Sequence, residues 1–174
     1  YKGETLFQLA LVYKNLEKYT LANKYFNESL INSNEIVDKV KSSYWKSETA
    51  YLAFFKNKIN LKEIKKKDIE KLIENFNMHL NFLEKSSLKQ SDKLKFISAN
   101  LRLGFLYETS KRNLLALNFY NKYTFYSGSK YFSDILYRIA YLKEKFETPE
   151  NTIKSYLKYI KEGDGKFNEE AYLR

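Results

Sequence analysis

Few residues of this 174-residue chain have side chains that could do chemistry. The single histidine, His79, has only Asn75 and Leu83 one turn away on either side and no second histidine at i+3 or i+4. It therefore belongs to no metal-ligand set and reads as an ordinary surface or boundary residue. The absence of cysteine excludes thiol nucleophiles, cysteine-based zinc sites and disulfide frameworks. Gly163-Asp164-Gly165 is a turn, too short for a calcium loop, and the neighbouring carboxylates Glu169 and Glu170 point apart on a helix. No phosphate-cradling glycine loop, HExxH pair, nucleophile elbow or histidine-centred triad can be assembled. The expectation is a non-enzyme with no catalytic residue, cofactor or metal.

What remains is basic and aromatic. Lys and Arg number 31 against 21 Asp and Glu, a formal charge of +10. Only four of the positive residues are Arg, and Asn, Ile, Tyr and Phe are abundant alongside Lys, the usage an A+T-rich genome encodes most readily. Part of the charge is thus codon bias, which lowers the case for nucleic acid. The densest basic stretch, Lys56, Lys58, Lys62, Lys65, Lys66 and Lys67 in the 56–67 connector, could bind nucleic acid or an anionic surface, but it lacks Arg and interleaved aromatics and reads more simply as a solvated loop. No apolar run approaches the ~18 residues of a membrane helix; the longest is six, 50–55. Because the chain starts at Tyr1 and ends on Arg174 within an apparent helix start, a piece of a longer protein is expected, with any signal or lipid anchor outside it. The compartment stays open between cytoplasm and bacterial envelope.

The elements that must position these side chains are helices. Leu6, Leu9, Ala10 and Tyr13 fall at i, i+3, i+4 and i+7, as do Ile69, Leu72, Ile73 and Phe76. One Pro and five Gly leave little punctuation for short strands. Helices are predicted near 3–15, 18–32, 35–57, 67–85, 91–110, 113–127, 130–146 and 149–162, with a ninth from about 167. Ser91-Asp92 and Thr148-Pro149 mark starts, and Gly128 and Gly163 mark stops. Short connections make sequential helices antiparallel pairs.

A repeat runs through them. Phe7-Gln8-Leu9-Ala10-Leu11, Ala50-Tyr51-Leu52-Ala53-Phe54, Leu101-Arg102-Leu103-Gly104-Phe105 and Tyr137-Arg138-Ile139-Ala140-Tyr141 each carry an aliphatic residue, then Ala or Gly, then a large apolar one. A small side chain in mid-helix lets the partner helix come close. Tyr13, Ala22 and Phe26 follow the first motif at the same offsets at which Tyr107, Ala116 and Tyr120 follow the third. The fourth keeps Tyr156 but has Lys143 and Thr152 at the other two places, and the second continues only beyond the basic connector.

This pattern resembles the tetratricopeptide repeat (TPR) family. The resemblance implies an all-α, right-handed superhelix, or solenoid, of about four antiparallel αα-hairpins in one domain spanning 1–174, with units near 3–34, 35–85, 91–128 and 130–163 and a further helix starting at 167–174. It also implies a concave groove lined by the first helix of each unit: Phe7, Leu11, Lys14 and Asn15, then Leu101, Phe105 and Glu108, then Tyr137, Tyr141 and Lys145. In the chaperone-binding members Lys and Asn grip a C-terminal carboxylate; Phe7 and Leu11 stand at the corresponding positions here, so that clamp is absent. Arg102 and Arg138 occupy equivalent places in consecutive units, either to hold a partner's carboxylate or to bridge repeats. Trp45 and Tyr44 lie outside the repeat signature, and Trp45 reads as partly buried core. The function expected is a scaffold, adaptor or assembly factor that binds a peptide or helix of another protein. The alternatives are the anionic-partner reading of 56–67 and a helical accessory domain of a larger enzyme or regulator.

Overall fold

Apolar residues spaced for helices give helices. The computed structural model describes residues 2–56, 65–86, 92–124 and 131–174. Among them are α1 (Lys2–Asn15), α2 (Tyr19–Asn32), α3 (Ile36–Lys56), α4 (Lys66–Lys85), α5 (Lys93–Thr109), α6 (Asn113–Thr124), α7 (Phe132–Lys143), α8 (Pro149–Glu162) and α9 (Asn168–Leu173), and no strand. None of these helices is long and apolar enough to cross a membrane. The chain divides into two compact units, Tyr1–Arg102 and Leu103–Arg174, and the division falls inside α5.

In the first unit α1 packs on α2, α2 on α3 and α3 on α4. Ala10 and Ala22 are fully buried beside Phe26, with Phe7, Leu11, Tyr13, Tyr25 and Trp45 around them. A second seam is polar: the Ser29 hydroxyl donates to the Gly3 carbonyl at 2.8 Å and lies 2.9 Å from the Ser42 hydroxyl. Ser43 and Ser47 are buried on the same helix α3, whereas Ala53 is only half-buried. In this 21-residue helix the small residues that meet neighbours are thus serines two to three turns earlier than the expected alanine.

The second unit stacks α6 on α7, α7 on α8 and α8 on α9. Gly104 of α5 faces α6, where a Cβ would overlap the Tyr120 ring, so the glycine is what admits this buried tyrosine. Leu136, Ala140, Tyr156, Tyr159 and Ala171 form the core between α7, α8 and α9. The turns after α1 and α5 are alike. Glu17 and Lys111 adopt φ of 55° and 59°, and Lys18 N–H and Arg112 N–H reach back to the Tyr13 and Tyr107 carbonyls at 2.9 and 2.8 Å, closing each helix with a Schellman turn.

Three sequence expectations shift. Helix α7 stops at Lys143 instead of 146, because the Lys145 and Phe146 amides bond three residues back and tighten the chain into a turn. Lys66 and Lys67 open α4 and are not part of a loop. His79 is fully buried, with Nδ1 3.0 Å from the Ser43 hydroxyl and its ring 5.4 Å from that of Tyr44. Burial, then the charge of Lys95, lowers its pKa to about 4, so it is a neutral core residue and not a surface one. Ser91, Gly128 and most of the 56–67 connector lie outside the described residues.

Candidate functional site

A groove of about 540 Å³ opens in the second unit between α5, α7 and α9. Five of the residues expected to line a groove meet there: Phe105 and Glu108 from α5, and Tyr137, Arg138 and Tyr141 from α7. Tyr131, Asp134, Lys166, Phe167, Glu170 and Arg174 complete the lining.

The site is built twice over by the same interactions 36 residues apart. Tyr120 donates to the Glu108 carboxylate at 2.6 Å, and Arg138 Nη1 donates to both oxygens of that carboxylate at 2.9 and 3.0 Å. One period on, Tyr156 donates to Glu144 at 2.6 Å, and Arg174 Nη1 donates to the same carboxylate at 2.8 and 3.2 Å. Each guanidinium lies over an aromatic ring, Arg138 over Phe105 and Arg174 over Tyr141, both at 4.9 Å. Tyr123 accepts from the Tyr131 amide at 3.0 Å and Tyr159 from the Phe167 amide at 2.6 Å, which fixes the entry to α7 and to α9. Short helices thereby present their polar groups in register, each carboxylate held from its own hairpin by a tyrosine and from the next by an arginine.

The groove's charges are consequently paired with one another. Lys166 contacts Asp134 at 3.1 Å, and Arg174 also reaches Glu170 at 3.1 Å. Hydrogen bonding to Glu144 raises the Arg174 pKa further above its ordinary value. Burial, reinforced by Glu170, pushes the Tyr137 phenol up to about 12, so it stays protonated at neutral pH. Its ring stacks on Phe167 at 4.6 Å and meets Tyr159 edge-on at 5.5 Å. The result is an aromatic wall rimmed by neutralised charge. Among the described residues no group of His, Asp or Glu side chains could hold a metal ion.

The other expected residues fall elsewhere. Leu101 is buried, with only 5% of its surface exposed, so its side chain belongs to the core and offers nothing to a partner. Arg102 donates to the Glu48 carboxylate through Nε and Nη2, both at 3.2 Å, and lies 4.2 Å over the Tyr51 ring. Phe7 packs edge-on against Phe26 at 5.4 Å, Leu11 leans on the same cluster, and Lys14 sits 4.1 Å over Trp45. Asn15 is exposed at the end of α1. Lys145 lies in the turn after α7 with its ammonium 5.1 Å above Tyr141.

Tyr131, Asp134, Lys166, Phe167, Glu170 and Arg174 are not among the residues expected from sequence, although most of the signal is present there. Arg102, Arg138 and Arg174 are 36 apart, as are Phe105 and Tyr141, Tyr131 and Phe167, and Asp134 and Glu170.

No protein-family model matches the sequence, and no curated protein matches it either. Solved structures do. The apo form of RapI aligns over 91% of this chain at 16% identity with a TM-score of 0.55, and the chain spans 54% of its length. A putative kinesin light chain from Podosopora anserina with nearly identical TPR-like repeats aligns over 90% of this chain and 72% of its own, at 8% identity with a TM-score of 0.58. These likenesses, together with the hairpins described above, show that the chain has the all-α, TPR-like helical-repeat fold.

Proposed function

We propose that this chain is a non-catalytic interaction module that holds a segment of another protein in the groove between α5, α7 and α9. The observation that carries this reading is the wall of Phe105, Tyr137, Tyr141 and Phe167, beside which Arg138, Lys166 and Arg174 are each paired with a carboxylate of the groove itself. Aromatic rings supply much contact area at low conformational cost. The carboxylates engaged by arginine and tyrosine position the rings and shape the rim. A volume of about 540 Å³ accommodates a few side chains of an extended or helical segment. Because the charged groups are neutralised, the ligand's apolar face carries the affinity, and a charged partner residue would have to displace an existing pair.

Selection of peptides from a random library on the whole chain, followed by titration of the best binders, tests the reading. Saturable binding that weakens at least tenfold in Tyr141→Ala, with an unchanged melting temperature, supports it. Failure to select any saturable binder, or equal affinity for the variant, overturns it.

A further inference from the structure

A second groove, in the first unit, has an excess of positive charge in its lining. It encloses about 630 Å³ between α2 and α4 above the face of α3 that carries Ala50, Ala53 and Phe54. Those residues and Leu72 of α4 make an apolar floor, and the small alanines leave the space open. Lys46 of α3 and Lys71 of α4 both line it. Lys46 is half-buried, and burial, then the like charge of Lys71, lowers its pKa. The Asn23 amide donates to the Lys46 carbonyl at 2.7 Å and ties α2 to α3 at this point.

Three lysines and two carboxylates, Glu28 and Asp68, line the groove, so its lining keeps a positive excess. Lys24 meets Glu28 at 4.0 Å, and Asp68 has an interaction of its own. Among the described residues neither Lys46 nor Lys71 forms an ion pair. A half-buried ammonium in a groove that a second ammonium also lines is stabilised by an anion supplied from outside. Two lysines on separate helices act as flexible point charges, a chemistry that suits a phosphate or carboxylate group. The volume is that of a small-molecule site.

We propose that this groove binds a small organic anion whose phosphate or carboxylate lies between Lys46 and Lys71 and whose apolar body rests on Ala50, Ala53 and Phe54. The same acid group could come from a free phosphorylated compound or from an acidic residue at the tip of a peptide. The site is independent of the aromatic groove, so either can fail without the other.

Isothermal titration of the whole chain with inorganic phosphate, phenyl phosphate, the acetylated dipeptide Phe-Glu and neutral benzyl alcohol tests the proposal. Phenyl phosphate or the dipeptide should saturate the protein at least tenfold more tightly than inorganic phosphate, and whichever is tighter identifies the source of the anion. Lys46→Met and Lys71→Met should each weaken that binding at least tenfold. Lys46→Met should not lower the melting temperature, since it removes an uncompensated charge, and Lys71→Met alters an exposed residue and tests the site even if the first variant folds poorly. Absence of saturation by either aryl acid, equal affinity in both variants, or benzyl alcohol binding as tightly as phenyl phosphate would overturn it.

Discussion

The two units solve the same packing problem with different chemistry. In Leu103–Arg174 a 36-residue period repeats the tyrosine–carboxylate–arginine contacts almost atom for atom, and the polar groups of the aromatic groove end up neutralised. In Tyr1–Arg102 the period is lost and helix α3 runs to 21 residues. There the seams are lined by serines and a buried histidine, and two lysines of one groove form no ion pair among the described residues. Regular spacing lets one solution be copied. Where spacing fails, each contact is made with different residues.

Arginine truncation gives the largest contrast. Glu48 is almost fully buried and would keep only the Ser98 hydroxyl, so Arg102→Ala leaves a buried carboxylate without its counter-charge and should cost about 3 kcal/mol in denaturant unfolding. Arg138 is 41% exposed and Glu108 keeps its tyrosine, so Arg138→Ala should cost only about 1 kcal/mol. Equal losses would erase the distinction between the units.

His79 should give the first unit a pH dependence. The folded chain holds the ring neutral with a pKa lowered from 6.5 to about 4. The unfolded chain takes up the proton at higher pH, so this contribution is full above pH 6.5 and falls as the pH drops towards 4. The loss should reach about 3 kcal/mol below that window. Urea titrations from pH 7.5 to 4 should show the slope, and His79→Leu should flatten it.

Small-residue positions separate next. Gly104→Val drives a side chain into the Tyr120 ring and should destabilise by about 2 kcal/mol. The aligned change Ala53→Val, on the floor of an open groove, should cost less than ~0.5 kcal/mol. The smallest effect is expected at the turn after α5, where Lys111 holds φ at 59°; Lys111→Gly relieves that conformation and should raise stability by about 0.5 kcal/mol by thermal melting.

The same contrast explains what could be read from sequence. Helical periodicity and the Ala10, Gly104 and Ala140 signature identified the hairpins, because close helix approach restricts those positions to small residues. Phe105, Tyr137 and Tyr141 followed from the repeat register. Ala53 misled because chain alignment cannot show where along a lengthened helix the neighbour crosses. Leu101 and His79 were misjudged for burial, since an apolar or polar type does not reveal which face a neighbouring repeat covers. Lys46 and Lys71 are distant in sequence and carry no motif, so their meeting appears only in three dimensions.

The central claim is that the aromatic groove of the second unit grips a polypeptide. Amide chemical-shift mapping of the isotopically labelled chain, saturated with a selected peptide, tests it most directly. Shifts should concentrate on α5, α7 and α9 around Phe105, Tyr137, Tyr141 and Phe167. Shifts confined to the exposed faces of α6 and α8 at full saturation would contradict it.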